Sequence, residues 1–294
     1  MNAGAADLAL VVLAAGEARR YGGCKPLAPV GPNGEAIIDL VASDAVGAGF
    51  STIVLVLNPN TGPAIRYHVE QVWPNALDVR FTEQPRPRGT VDAVAAAWPE
   101  LDPDAPYAVA NADDLYGPAP LALLAAHLAG GAAEQALVAF RLSLATIGAS
   151  PVTRGVCRVS PEGLLAGIDE RRQVVPDGTG GFHAGDGRSP SELDGDALVS
   201  MNLWGFTARV RPAFELALAA ADGDSGEVLL PEVVGSLIGA GPDGGERFRV
   251  LAAETRCVGV THPDDLSLVQ EAIARQVGRG ERPAVPWSSV AARP

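Results

Sequence analysis

The sequence predicts an α/β protein: a mostly parallel, mixed Rossmann-like sheet with helices on both faces, followed by a small β-rich substrate lobe. Three observations lead there. The first half alternates short apolar runs with helical patterns. Those runs lack the in-out alternation of a half-solvated sheet, so they read as strands buried on both faces. Beyond residue 142 the pieces become shorter and β-rich before helices return.

Taken in order, Leu8–Ala14 is a buried strand, and Ala36–Ala48 is a helix stopped by Gly49. Thr52–Leu57 is a second buried strand, and Thr61–Val72 is helical. Leu77–Phe81 is strand-like, Thr90–Trp98 helical, Tyr107–Ala110 a strand and Pro118–Leu128 a helix. Ala136–Leu142 closes this half. Strands follow at Gly155–Val159, Leu165–Ile168 and Leu198–Phe206. Residues 175–196, rich in Gly, Asp, Pro and Ser, read as a mobile loop over or near a site. Helices are expected at Ala208–Ala221, Val228–Ile238 and Pro263–Val277, with a strand at Arg256–Val260. The expected organisation is one domain over 1–277, with halves 8–142 and 143–277. An extended Pro-rich tail, 278–294, carries Trp287 as an anchor.

The bulk properties exclude several function classes. At 294 residues and 47% hydrophobic, the chain can bury a substantial core. The three cysteines (Cys24, Cys157, Cys257) and four histidines have no metal-type spacing, and no disulfide framework is suggested. The apolar run at Leu8 is too short for a bilayer, and residues 1–7 lack a basic leader region. A reducing cytoplasm is the expected location. A net charge of −13 disfavours nucleic acid and anionic membrane as partners. Nearly every cation is arginine; the single lysine is Lys25.

That lysine closes the most informative segment, Leu13-Ala14-Ala15-Gly16-Glu17-Ala18-Arg19-Arg20-Tyr21-Gly22-Gly23-Cys24-Lys25-Pro26-Leu27. A buried strand feeds a loop of small residues in which successive backbone amides can cradle an anion, and Arg20 and Lys25 add charge. An ordinary strand-to-helix turn with solvated arginines would also fit. In the second segment, Gln84-Pro85-Arg86-Pro87-Arg88-Gly89-Thr90, a strand end leads through a Pro-restricted loop to a helix start. The third, Asn111-Ala112-Asp113-Asp114, ends a buried strand in two adjacent carboxylates, which repel unless a cation or solvent offsets them.

The first segment resembles the signature of sugar-1-phosphate nucleotidyltransferases (NDP-sugar pyrophosphorylase-like) of the GT-A-like nucleotidyltransferase superfamily. Their pattern is Leu-Ala-Ala-Gly-x-Gly-x-Arg-x-Gly with a following Lys-Pro; Ala18 stands here where the second glycine is usual. Val30–Glu35 and Ile38-Asp39 add to the likeness. The resemblance implies the nucleotide-diphospho-sugar transferase fold and transfer of a nucleoside monophosphate from an NTP to a sugar 1-phosphate or similar molecule. It implies Arg20 and Lys25 on the phosphates, and Leu13, Ala14, Ala15, Gly16, Glu17, Gln84, Gly89, Thr90 and Asn111 around the nucleotide. It further implies Mg2+ on Asp113. The family's second carboxylate would fall at Gly259, so Asp114 or Asp265 could serve instead. For the acceptor it implies Asp114, Gly155, Glu170, Arg171 (replacing a lysine) and Asn202. Glycosyltransferases and non-catalytic nucleotide-sugar sensors share such a fold, and cytidylyltransferases of non-sugar phosphates share the chemistry. The nucleotide, the acceptor and the oligomeric state are not named by these residues.

Overall fold

The computed structural model describes residues 7–16, 22–221, 226–239, 245–260 and 265–291. Strands β1 (Ala9–Leu13), β2 (Thr52–Leu57) and β3 (Asp78–Glu83) alternate with helices α1 (Ile37–Ala48) and α2 (Gly62–Val72). Next come α3 (Thr90–Ala97), β4 (Tyr107–Asn111), the two-residue β5 (Asp114–Leu115), α4 (Pro118–Ala129) and β6 (Gln135–Arg141). β1 pairs in parallel with β2 and β4, and β2 with β3, giving the order β3-β2-β1-β4. Every residue of β2 is buried, as its uninterrupted run Thr-Ile-Val-Leu-Val-Leu requires. α1 is closed at its start by Asp39, which accepts the Ala36 amide at 2.8 Å, and at its end by Gly49 at φ 107°.

The second half adds β7 (Val152–Val159), β8 (Leu165–Pro176), β9 (Phe182–Ala184), β10 (Glu192–Leu193) and β11 (Leu198–Phe206). It continues with α5 (Arg211–Ala220), α6 (Leu230–Gly239), β12 (Phe248–Ala253), β13 (Val258–Gly259), α7 (Leu266–Gly278) and α8 (Ser288–Ala291). β11 runs antiparallel to β4 and joins the halves. The β-rich pieces are continuous with the main sheet: β7–β10 extend it beyond β11, while β6 and β12 pair along its other side. Among the described residues no helix is long and apolar enough to cross a membrane.

Most expected elements are present within a few residues. Three expectations need correction. Residues 175–196 are not an irregular loop, because β8 continues to Pro176 and pairs with β9, which pairs with β10. β12 was not expected: its polar residue Arg249 faces Glu134, with Nε donating at 2.9 Å, and breaks the apolar run. The tail is not simply extended. The Trp287 ring lies 5.2 Å from Trp73, its amide donates to Ser43 Oγ at 2.9 Å, and α8 follows. Arg282 reaches Asp44 of α1 at 2.5 Å, both nearly sealed from solvent.

Two apolar clusters fill the two faces of the sheet, one centred on Leu10, Ile38 and Phe140 and the other on Val11, Val109 and Trp204. A third, built from Ala28, Val30, Ile37 and Leu40 with Val269 and Ile273 of α7, lies beneath the segment that follows Lys25. Sequence-remote packing thus fixes the strand ends where functional loops of parallel sheets gather.

Candidate active site

The site begins with register. Leu13 lies opposite Asn111 in the β1–β4 ladder, and the Ala112 amide donates to the Leu13 carbonyl at 3.1 Å. The loops leaving these neighbouring strands must therefore share one space. Asn58 Nδ2 ties the first loop down by donating to the Ala15 carbonyl at 3.1 Å. Pro26 fixes a single turn of 3-10 helix over Lys25–Leu27, whose last amide bonds return to Cys24 and Lys25. From that turn Lys25 Nζ reaches Asp113 Oδ2 at 2.5 Å.

Above this pair opens a cleft of about 450 Å³. It is lined by Leu13, Ala15 and Gly16 after β1, by Gln84, Gly89 and Thr90 between β3 and α3, and by Asn111, Asp113 and Asn202. Four further lining residues carry no role read from sequence: Pro87, Ala93, Glu227 and Leu229. Gly89 is a true glycine position, at φ 93°, and a Cβ there would come within 2.4–2.8 Å of the Val228 backbone. That close approach lets the Val228 amide donate to the Arg88 carbonyl at 2.9 Å, and the Val91 amide to the Val228 carbonyl at 3.0 Å.

Gln84 is buried, and its Nε2 donates to the Gly89 carbonyl at 3.0 Å and to Asp92 Oδ2 at 2.8 Å. Two acceptors fix the amide's orientation, so its carbonyl oxygen is the atom left to offer the cleft. The sequence alone left that orientation open.

Asn202 occupies the left-handed region at φ 57°, where the β11–β6 register slips between Ser200 and Leu203. Asparagine tolerates that conformation better than a branched residue would, and the bulge turns it into the cleft. Tyr116 supports both asparagines: its hydroxyl accepts the Asn111 amide at 2.9 Å and donates to the Met201 carbonyl at 2.9 Å. This buried clamp was not assigned from sequence, because its partner Met201 lies 85 residues further along the chain.

Asp114 is half-buried. It accepts from Asn111 Nδ2 at 2.9 Å, and burial together with the charge of Asp113 pushes its carboxyl up to about 6. Asn111, Lys25 and Arg154 oppose that rise. Gly259 faces it directly across the β5–β13 pair, and a Cβ at 259 would lie 2.4 Å from Asp114 Oδ1. The glycine at the place of the family's second carboxylate thus makes room for the carboxylate of Asp114.

Several of the expected residues do not line this cleft. Arg171 does not face the cleft: its guanidinium makes a buried, two-pronged contact to Asp186, at 2.8 and 3.0 Å, and bonds the Arg188 carbonyl. Glu170 pairs with Arg172 on the surface. Gly155 makes room for Ile168, whose Cδ1 would be 3.0 Å from a Cβ there, and does not line the cleft. Ala14 is a buried strand end bonded to Val56. Asp265 is buried at the start of α7 and faces Gly148. Among the described residues no three His, Cys, Asp or Glu side chains converge as for one metal ion, so Asp113, Asp114 and Asp265 do not form such a set. Burial raises the Cys24 thiol despite the neighbouring cation. Glu17 and Arg20 lie outside the described residues, as do Ala18 and Arg19.

The parallel β3-β2-β1-β4 core brings Gly16 after β1 and Asp113 after β4 to one cleft, with Lys25 paired to Asp113 at its side, and the fold is nucleotidyltransferase-like. Residues 10–152, just under half of the chain and the part that supplies most of the cleft, match the model of the MobA-like NTP transferase domain. No curated protein matches the sequence. Among solved structures, an inositol-1-phosphate CTP transferase from T. maritima is similar in fold, with a TM-score of 0.66 and 15% identity. The similarity covers 93% of this chain and 97% of that one.

Proposed function

We propose that the protein transfers a nucleoside monophosphate from an NTP to the phosphate of a small molecule, a sugar 1-phosphate or a comparable polyol phosphate. An oxygen of the acceptor phosphate attacks the α-phosphorus, the bond to the β-phosphate breaks, and pyrophosphate leaves. The observation that carries this reading is the Lys25–Asp113 pair at 2.5 Å beside the cleft, within the segment that matches an NTP transferase domain. The similar fold of a CTP transferase for inositol 1-phosphate adds polyol phosphates to the acceptor class.

In this reading the Gly16 loop presents backbone amides to phosphate oxygens. Lys25 supplies a compact positive charge to the reacting phosphates when its partner exchanges, and Asn111 and Asn202 orient the two substrates from opposite strands. The work is positioning and charge stabilisation, with no covalent intermediate. Mg2+ is a hard cation that takes oxygen donors and often only one or two carboxylates, and Asp113 with Asp114 fits that donor set. When bound there it would neutralise phosphate charge.

The test is pyrophosphate release with Mg2+ across the common NTPs, against a panel of sugar 1-phosphates and polyol phosphates. Release that requires both substrates supports the reading. Nucleotide binding with no release for any acceptor would overturn it in favour of a sensor.

A further inference from the structure

Glu227 is an exposed carboxylate at the rim of a cleft that, on the reading above, admits a polyanion. Without a cation between them a carboxylate repels a triphosphate, so Glu227, set apart from the Asp113–Asp114 pair, suits a part of the ligand that is neutral and carries hydrogen-bond donors. Its position along the cleft says which part. The segment carrying it is strapped to the loop before α3 by three bonds: Val228 amide to Arg88 carbonyl (2.9 Å), Val91 amide to Val228 carbonyl (3.0 Å) and Leu230 amide to Thr90 Oγ1 (2.8 Å). Gly89 allows this contact and would not allow it with a Cβ. Glu227 is thereby held at the Gln84 end of the cleft. With its Nε2 engaged, Gln84 offers its carbonyl oxygen as an acceptor for the N–H groups of a base, and a base held there can set its sugar beside Glu227, which is exposed at the same end.

We propose that Glu227 binds the ribose hydroxyls of the nucleotide and makes the enzyme select ribonucleotides over deoxyribonucleotides. The two carboxylate oxygens can each accept one hydroxyl of a vicinal diol. This inference rests on the nucleotidyltransferase reading and adds a residue that carries sugar specificity.

The experiment measures calorimetric binding of CTP, UTP, ATP and GTP to the full chain, then of the 2′-deoxy and 3′-deoxy forms of the tightest one. Wild type, Glu227→Gln and Glu227→Ala are compared, with thermal melts as the folding control. The wild type is expected to favour the ribonucleotide by about 10- to 100-fold, the worth of a hydrogen bond to a charged group. That ratio should collapse to a few-fold in Glu227→Ala and fall partly in Glu227→Gln. Equal wild-type affinity for ribo and deoxy forms overturns the proposal, and this arm needs no variant to fold. So does equal weakening of both forms in the variants, or a ratio that changes between bases and not between sugars. If no triphosphate binds the wild type at all, the nucleotidyltransferase reading itself falls, and this inference with it.

Discussion

Lys25 Nζ lies 2.5 Å from Asp113 Oδ2, joining two loops that are 88 residues apart in sequence. Both side chains are partly open, at 17% and 35% relative exposure, so the contact can exchange with an incoming phosphate or cation. Lys25→Ala should lower turnover by about 100- to 1,000-fold, the range found when one electrostatic donor is removed from a reacting centre. Lys25→Arg should also be poor, because a planar fork does not replace a point charge in a tight turn. Pyrophosphate release and a thermal melt together check this. Unchanged turnover, or a loss explained by unfolding, would remove Lys25 from the chemistry.

Gly259 and Asp114 share one volume, and this makes a sharp prediction. Gly259→Ala places a methyl where Asp114 Oδ1 now lies, at 2.4 Å. Overpacking of this kind costs about 1–3 kcal/mol. Nucleotidyl transfer should fall and the Mg2+ concentration for half-maximal activity should rise, because Asp114 is displaced. Mn2+ binding, followed by its paramagnetic resonance with nucleotide present, should weaken in parallel. A variant with normal metal dependence would show that Asp114 only fills space.

How much of this was legible in the sequence depends on distance along the chain. β2 was readable to the residue, because burial on both faces leaves an unbroken apolar run. That Gly16, Gln84, Gly89 and Asp113 would gather at one cleft was legible because a strand and its following loop are contiguous. The surroundings of Arg171 were not. Arg171 resembles a ligand in order along the chain, yet Asp186, fifteen residues later, takes up its guanidinium. Local pattern could not show that pairing, nor that β9 and β10 would organise residues 175–196. Glu227 and Tyr116 were likewise invisible as site residues, since one needs the Gly89 contact and the other the β11 bulge.

Tyr116 is predicted to position without contacting substrate. Tyr116→Phe leaves the Asn111 amide and the Met201 carbonyl without their shared partner. Orphaned buried groups cost about 1–3 kcal/mol each, so a drop of that order in unfolding free energy is expected by urea titration. The kinetic signature separates this from mere destabilisation. Well below the melting temperature, KM for both substrates should rise, because Asn111 and Asn202 each lose their support. Unchanged KM values would confine Tyr116 to stability.

The Arg282–Asp44 pair predicts a pH dependence with a definite sign. Burial pushes the Asp44 carboxyl up to about 7, and Arg282 only partly offsets this. An acid whose folded pKa is raised contributes stability that is full below its unfolded value and is lost as pH rises through the folded one. Here that window runs from about 4 to 7. Arg282→Ala removes the one charge that holds the carboxyl down, so its pKa rises further and the ionised form becomes costlier. Breaking a buried pair by removing one partner typically costs about 3–5 kcal/mol. Most of that cost should appear at pH 8, where Asp44 would have to ionise, and less at pH 5.5, where it stays protonated and neutral. Urea unfolding of wild type and variant at the two pH values measures the difference directly. An equal loss at both would mean that Arg282 acts through packing of the tail on α1, with Trp287 and Trp73, and not through its charge.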